Sequence, residues 1–330
     1  MDFELSDDQV ALTDGVRSFC EGRLPLSDLR GWPAAGGVDR AAWKEIADLG
    51  VFALRLPEPA GVGLGWADAV LVFEQLGRSL VPGPLVWTHL AAGLRDGVAA
   101  GEVVVAGIER SAGELVEYAA AADALVVLDD DGLWWVERQA IDLDDGEARS
   151  ALDPLTPVAR RRGGLPQGEQ LASADDARQL ALGGAALVAG LHLGIAGAAC
   201  DLAVSYAKDR QQFGRPIGSF QALKHIMADM LVRIEVARGA VYAAGVVLDD
   251  PEVGLPERAV AAARITAADA AIANGASCVQ VHGGMGFTWE VDAHLYLERA
   301  YALETLFGSR TSWSERMADL MVVDDQPVPA

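Results

Sequence analysis

The first hundred residues carry apolar side chains at the three-to-four spacing of amphipathic helices. Ser6, followed by two aspartates, opens the first such segment and predicts an N-capped helix whose apolar face includes Val16 and Phe19. The same spacing predicts a second helix over residues 39–54 and a third over residues 67–84, which ends at its prolines. The N-terminal part of the chain is therefore expected to be a helical layer.

A different pattern begins near Gly101, where short β-branched and aromatic runs replace the helical spacing. Residues 125–136 predict a strand, a tight turn through an Asp-Asp-Asp-Gly segment, and a returning strand. Three consecutive arginines, residues 160–162, open a Gly- and Pro-containing segment that is interpreted as a solvated linker. We therefore expect a small β region in the middle of the chain.

Helical spacing returns from about Ala174 to Leu320. Within it, the run Leu180–Cys200 has no charged residue and is about as long as a membrane span. Small residues dominate that run and permit close packing, so a helix buried on most faces is the preferred interpretation. The predicted fold is mainly α with a small β-domain: an N-terminal helical domain (1–100), a reduced central β-domain with a linker (101–173), and a C-terminal helical bundle (174–330).

Composition and charge limit the classes of partner. The 330 residues are 51% hydrophobic and 22% charged, as in ordinary globular proteins. The formal net charge of -22 would repel nucleic acid and anionic membranes, so neither is expected as a partner. The three cysteines show no Cys-x-x-Cys spacing, and the N-terminus lacks the features of a signal peptide. We therefore expect a cytoplasmic protein without a disulfide framework or a metal site.

Two segments are candidates for ligand binding, whereas the Rossmann, Walker A, serine-elbow and His-Glu-x-x-His motifs are absent from the sequence. Arg210 ends a predicted helix beside glutamines and an aromatic residue, an arrangement that can clamp a diphosphate and stack on an adenine. Gly283, Gly284 and Gly286 separate two predicted helices, where backbone turns sharply or closely approaches another group. Taken alone, the Arg210 segment is better explained as a capped turn that binds nothing, and the glycine cluster has the same ambiguity.

The two segments together, in this order, are more specific. Residues 209–230 followed by residues 280–300 resemble the C-terminal domain of the acyl-CoA dehydrogenase family, flavoproteins that oxidise the α–β bond of acyl-CoA thioesters. Residues 43–66 and 74–80 resemble the first helical domain of the same family. The resemblance implies a helical N-domain, a central β-domain, a C-terminal four-helix bundle, and a tetramer built as a dimer of dimers.

The resemblance also implies a cofactor and its contacts. In the family, each FAD lies partly in one subunit and partly against its neighbour, and this chain would use an acyl-CoA substrate and an acceptor of the electron-transfer flavoprotein type. Glycines would be needed because a Cβ would hold the ligand away from the backbone. The matching positions are Arg210, Gln212, Phe213 and Gln221 at the adenosine-diphosphate end, and Gln280, Gly283 and Gly284 at the pyrophosphate.

The chain departs from the family at the expected general base. Members usually carry a glutamate after the glycine cluster that removes the substrate's α-proton; counting forward from Gly286, Phe307 stands there. Some relatives place the glutamate on the long helix before Arg210, which here falls near Gly184. Glu304 is the nearby substitute, but it is interpreted as a solvated or structural carboxylate because its helical turn lies about 5 Å from the required place. The catalytic residue is therefore left unassigned.

A second departure lies in the middle region, where the family's flavin-ring segment has no counterpart between Val103 and Asp176. A chain that lacks the base and this segment, yet keeps the face offered to a neighbour's FAD, resembles the shorter subunit of heteromeric α2β2 acyl-CoA dehydrogenases of bacterial steroid side-chain degradation. The preferred hypothesis is a non-catalytic subunit that completes FAD sites on a homologous catalytic partner in a heterotetramer. Two alternatives stay open: a self-sufficient dehydrogenase with an atypical base such as Glu304, and a flavin-free scaffold or a member diverted to other acyl-thioester chemistry.

Overall fold

The computed structural model describes residues 4–32, 36–111, 113–144 and 151–324, and it begins with a helical layer. The predicted cap of the first helix is confirmed, because the Ser6 hydroxyl accepts from the backbone N–H of Gln9 and the Gln9 side chain accepts from the backbone N–H of Ser6. The second helix is shorter than predicted, since residues 49–55 form turns. The helices of the layer are α1 (Asp7–Arg23), α2 (Leu26–Leu29), α3 (Arg40–Asp48), α4 (Trp66–Arg78) and α5 (Leu85–Ala91).

Strands in two sheets follow the helical layer: β1 (Val105–Glu109), β2 (Leu115–Glu117), β3 (Ala124–Asp129), β4 (Gly132–Glu137), β5 (Leu143–Asp144), β6 (Val158–Arg161) and β7 (Glu169–Ser173). One sheet has the order β1-β3-β4-β7, and the other has the order β2-β6-β5. β3 and β4 are antiparallel neighbours, with Asp129 opposite Gly132 at the turn. The predicted hairpin is therefore confirmed.

The prediction that the three arginines at positions 160–162 lie in a solvated linker is wrong for Arg160 and Arg161; only Arg162 is exposed outside a strand. Arg160 and Arg161 belong to β6. Arg160 forms an ion pair with Glu114, and Arg162 forms one with Asp144 at 2.6 Å. The strand escaped sequence-based prediction because charged residues interrupt the apolar alternation that identifies a half-buried strand.

The C-terminal half is a helical bundle of α6 (Ala174–Asp209), α7 (Gln221–Asp249), α8 (Pro256–His282), α9 (Ala293–Leu303) and α10 (Arg310–Asp324). A hairpin of β8 (Gln211–Gln212) and β9 (Arg215–Pro216) joins α6 to α7. The fold is thus mainly α with a small β region, as predicted. One buried apolar cluster includes residues of the helical layer, the four-stranded sheet and the bundle. The domain boundaries at residues 100 and 173 stay a prediction.

The charge-free run Leu180–Cys200 lies inside α6. By length and composition this helix could cross a membrane, but 78% of its most apolar window is buried inside the protein. Close packing explains its glycines: a Cβ at Gly194 would lie 1.9 Å from the carbonyl oxygen of Glu74 on α4. The interpretation of this run as a buried core helix is confirmed.

Candidate functional site

The two candidate segments meet at one end of the bundle. α6 ends at Asp209, α7 begins at Gln221, and α8 ends at His282, directly before the 3-10 turn Gly283–Phe287. The rings of Tyr206 and His282 stack with their centroids 4.1 Å apart, which ties the end of α6 to the end of α8. The structure therefore brings the Arg210 segment and the glycine cluster to the same end of the molecule.

The β8–β9 hairpin holds an aromatic ring in solvent. Its two turn residues, Phe213 and Gly214, have φ angles of 54° and 76°, the left-handed pair that a type I′ turn requires. Phenylalanine is disfavoured in that conformation, and its ring is 91% exposed. Its one aromatic neighbour among the described residues is Phe220, with ring centroids 6.2 Å apart in an edge-on arrangement, and the Arg215 guanidinium lies over the same Phe220 ring, 4.2 Å from its centroid. An apolar ring held outside the core on a strained turn indicates contact with another molecule.

Four polar candidates share this end of the bundle: Arg210, Gln212, Gln221 and Gln280. All four are exposed. Within the described part of the chain, their side chains make no hydrogen bond or ion pair. The backbone of Arg210 is fixed nonetheless, because its N–H donates to Tyr206 at 2.9 Å and its carbonyl accepts from Ile217 at 2.8 Å. Donor groups on a fixed backbone are therefore available to an external ligand.

The three glycines of the cluster differ in the structural constraint that favours glycine at each position. Gly283 has a φ of 61°, a conformation that side chains rarely adopt. At Gly286, a Cβ would lie 2.6 Å from the carbonyl oxygen of Val279. Gly284 has neither constraint, since a Cβ there would meet no atom within 4 Å. Nothing within the described chain requires a bare backbone at Gly284, which fits the close approach of an external diphosphate. We call the four polar candidates with Phe213, Gly283 and Gly284 the bundle-end surface.

Further apolar side chains are exposed in the helices and turns of the bundle. Phe287 and Trp289, which follow the glycine cluster, are 72% and 64% exposed. Leu231, Val232 and Val236 on α7 are exposed as well. Exposed large apolar side chains in neighbouring segments mark interaction surfaces. These residues therefore favour a partner protein on the bundle.

The second candidate region surrounds Phe307. This residue lies in the turn after α9, where the turn packs against α5 and α6. Its side chain is 3% exposed, and its ring centroid lies 4.3 Å from that of Trp87. A Cβ added at Gly184 on α6 would lie 2.7 Å from carbons of the Phe307 ring. Phe307 and Gly184 are therefore in direct contact, and the ring leaves no room for a side chain on α6.

A buried arginine fixes the turn that carries Phe307. Arg264 on α8 is fully buried, and its Nη2 donates to the carbonyl oxygens of Leu306 at 2.9 Å and Gly308 at 2.7 Å. The Trp313 indole N–H donates to the carbonyl oxygen of Phe307 at 2.8 Å. Burial lowers the pKa of Arg264 to about 10, so it stays charged at neutral pH. These bonds hold Phe307 in place although its φ is 52°.

Glu304, the substitute base considered from the sequence, is engaged elsewhere. Its carboxylate accepts a hydrogen bond from the backbone N–H of Arg310, the first residue of α10, at 3.0 Å. A carboxylate at this position satisfies a free helix N–H and interacts favourably with the helix dipole. The geometry therefore supports a structural role for Glu304.

Two carboxyl groups that sequence reasoning missed line a cleft beside Phe307. The cleft has a volume of about 250 Å³, and its walls include Glu109, Glu117, Trp87 and Leu306. Both glutamates end short strands that are otherwise apolar, which is a signal the sequence did contain. The strands alone could not show that both ends face Phe307.

Burial perturbs both of these carboxyl groups. It raises the pKa of Glu117 to about 7, against the opposing effect of the Arg299 charge. It also raises the pKa of Glu109, although the charge of Arg264 and the backbone N–H of Gly308 oppose the shift. Carboxyl groups with raised pKa values in a cleft are candidates for ligand recognition or proton transfer. Over the same described ranges, no group of three or more His, Cys, Asp or Glu side chains could hold a metal ion.

Models of known protein families match both ends of this chain. The model described as the C-terminal domain of acyl-CoA dehydrogenase matches residues 177–320, and the model of its N-terminal domain matches residues 6–99. The chain belongs to the acyl-CoA dehydrogenase family. The resemblance inferred from the sequence is confirmed at both ends of the chain.

Curated relatives of this chain support the same family assignment. The acyl-CoA dehydrogenase IpdE2 of Mycolicibacterium smegmatis is 35% identical over 285 residues, which are 82% of this chain and 85% of IpdE2. The acyl-CoA dehydrogenase FadE34 of Mycobacterium tuberculosis is 36% identical over 305 residues, which are 84% of this chain. That match covers 42% of FadE34, so the chain spans less than half of this relative.

Solved structures share the fold. A glutaryl-CoA dehydrogenase from Mycobacterium smegmatis in complex with FADH2 superposes with a TM-score of 0.82 at 16% identity, over 98% of this chain and 97% of that one. A variant of the Tcur3481–Tcur3483 steroid ACAD gives a TM-score of 0.80 at 22% identity, over 96% and 98%. At these identities the likeness shows a flavoprotein fold alone.

In this family member, the two positions that the resemblance gives for the base lie side by side. The assignment of Phe307 to the usual position and of Gly184 to the neighbourhood of the position on the long helix stays a prediction from the sequence. Their contact fills the space between them with an aromatic ring. Neither position offers a carboxylate, so the chain carries no general base at either expected place.

Proposed function

We propose that this chain is the non-catalytic subunit of an FAD-dependent acyl-CoA dehydrogenase that desaturates the α–β bond of an acyl-CoA thioester. The observation that carries the proposal is the packing of the Phe307 ring against Gly184. A positioned general base contributes about 10²–10⁴ in rate, so a chain without one is poorly suited to this reaction on its own. The base is then supplied by a homologous catalytic partner.

The bundle-end surface supports the second half of the proposal, that the chain completes an FAD site on that partner. Bound FAD supplies the oxidant for the desaturation. Arg210 would pair its guanidinium with the diphosphate, and Gln212, Gln221 and Gln280 offer amide groups that have no partner within the described chain. The bare backbone at Gly284 admits close approach of the same anion. The residues fit the adenosine-diphosphate half of the cofactor.

The proposal also covers the assembly of the enzyme and the class of its substrate. The name of the Tcur3481–Tcur3483 steroid ACAD joins two components with a steroid, which supports a heteromer that acts on a steroid or other lipid. The proposal places this heteromer in the cytoplasm as a heterotetramer. An acceptor of the electron-transfer flavoprotein type would reoxidise the cofactor. Exposed Phe213 and the apolar residues of α7 would be covered in such a complex.

The alternative of a self-sufficient dehydrogenase would require Glu304 to give up its hydrogen bond to Arg310 and reach past the buried Phe307 ring. No other contact of Glu304 favours that role. A flavin-free scaffold differs from the proposal in one measurable respect, because its complex would hold no FAD.

Flavin content tests the proposal. The purified chain alone should retain little or no FAD, because the bundle-end surface supplies only part of a site that the partner completes. Co-expression with a homologous catalytic subunit should give a heteromer with stoichiometric FAD, measured by flavin absorbance. Full flavin occupancy in the isolated chain would contradict the proposal, and a stable heteromer without flavin would favour the scaffold.

A further inference from the structure

Burial does little to fix the connection between α8 and α9. We call residues 283–292 the glycine-cluster segment, because it carries the glycines of the bundle-end surface. Of its residues only Gly286 is buried, whereas Phe287 and Trp289 are 72% and 64% exposed. Segments with few buried apolar contacts open more readily than the core of a protein. A polar tie from another element therefore has a large share in fixing this segment.

Arg30, which directly follows α2, supplies such a tie from the helical layer. Its Nη1 donates to the carbonyl oxygen of Trp289 at 2.8 Å, and its Nη2 forms an ion pair with Asp292. The guanidinium carbon also lies 5.8 Å from the centroid of the Trp289 ring. Among the described residues, no other side chain from outside α8 and α9 is hydrogen-bonded to the glycine-cluster segment.

The backbone that carries Arg30 is itself well anchored. The neighbouring side chains of Leu29 and Trp32 are both buried in the main apolar cluster. The N–H of Arg30 donates to the carbonyl oxygen of Leu26 at 3.2 Å. A planar guanidinium that bonds two acceptors from an anchored backbone restricts both their position and their orientation. The helical layer thus provides a rigid support for a weakly buried segment of the bundle.

We propose that Arg30 is a positioning residue, which holds the glycine-cluster segment in the backbone conformation that receives the diphosphate of FAD. It acts through the Trp289 carbonyl group and the Asp292 carboxylate and does not touch the cofactor. A backbone fixed before binding loses less conformational freedom when the ligand arrives. The apparent affinity falls in proportion to the fraction of molecules in which the segment is open. This inference rests on the proposed function for the identity of the ligand.

Amide hydrogen exchange of the isolated chain, followed by mass spectrometry of its peptides, tests the tie without a partner or a cofactor. Arg30→Ala should raise the exchange rate of residues 283–292 on the order of tenfold, the lower end for losing a hydrogen bond to a charged group. Exchange within α6 should stay at the parent rate. Arg210→Ala should leave exchange in residues 283–292 unchanged, because the Arg210 side chain has no partner in the described chain.

FAD affinity of the assembled heteromer is the second measurement. Arg30→Ala should weaken it on the order of tenfold, for the same lost hydrogen bond. Arg30→Lys should lie between this variant and the parent, because an ammonium group cannot span both acceptors with a fixed fork. Arg23→Ala is the matched control, since the Arg23 guanidinium pairs with Glu45 inside the helical layer. Its exchange and its FAD affinity should equal those of the parent.

Two results would each overturn the positioning role: unchanged exchange of residues 283–292 in Arg30→Ala, or faster exchange there at undiminished FAD affinity. Equal effects in Arg23→Ala, or faster exchange throughout the chain, would mean a general loss of stability and would also refute it. A parent heteromer without flavin would instead contradict the proposed function before any variant is compared. The exchange rates of the isolated chain would then still decide whether Arg30 fixes the segment.

Discussion

Replacing Phe307 with alanine is expected to lower the free energy of unfolding of the isolated chain by about 3–5 kcal/mol. The ring is buried against Trp87 and Gly184, and the hydrogen bonds of Arg264 and Trp313 restrain the turn from collapsing into the cavity. Phenylalanine and alanine both carry a Cβ, so the strain of the φ angle of 52° is the same in each. The loss measured by denaturant unfolding therefore reports side-chain packing.

Phe287→Ala is the matched control, because this ring is 72% exposed and its removal should change the stability by less than about 0.5 kcal/mol. In the assembled enzyme, Phe307→Ala should leave turnover per bound FAD within a few-fold. A large fall in turnover at unchanged flavin content would mean that Phe307 serves the chemistry directly.

Replacing Arg210 with alanine is expected to lower the FAD affinity of the heteromer by about 1.5–3 kcal/mol, the range for a hydrogen bond to a charged group. The Arg210 side chain is exposed and has no partner in the described chain, so its loss should leave the fold intact. FAD affinity is measured by equilibrium titration of the apo-heteromer, with the unfolding midpoint as the check on folding.

Arg215→Ala is the control for charge alone. This arginine lies on the same hairpin, but its guanidinium is stacked on Phe220 of its own chain. Its removal should change FAD affinity much less than Arg210→Ala. Equal losses in the two variants would indicate a general effect of positive charge, and unchanged affinity in Arg210→Ala would leave only the capped-turn interpretation.

Local signals were sufficient to predict much of the fold. The cap at Ser6, the hairpin within residues 125–136 and the buried helix over Leu180–Cys200 each follow from residues close together in sequence. The Arg210 segment and the glycine cluster were assigned to one binding surface only because the two motifs were considered together. The assignment of their residues to FAD stays a prediction.

Features that depend on tertiary contact could not be predicted in the same way. The contact of Gly184 with Phe307 joins two helical regions far apart in sequence, and only packing shows that the two expected base positions are neighbours. β6 pairs with β2 and β5, although its arginines are typical of a solvated loop. Glu117 acquires its raised pKa from burial behind a cleft that the sequence does not reveal.

Turnover by a heteromer that contains Glu304→Gln tests the non-catalytic assignment most directly. Dehydrogenation of an acyl-CoA is measured per bound FAD with a dye acceptor. The account predicts near-normal turnover, because the Glu304 carboxylate caps α10 through Arg310 and the base lies in the partner chain. A loss of about 10²–10⁴ at unchanged flavin content, the size expected for removing a positioned base, would contradict it and make Glu304 the base.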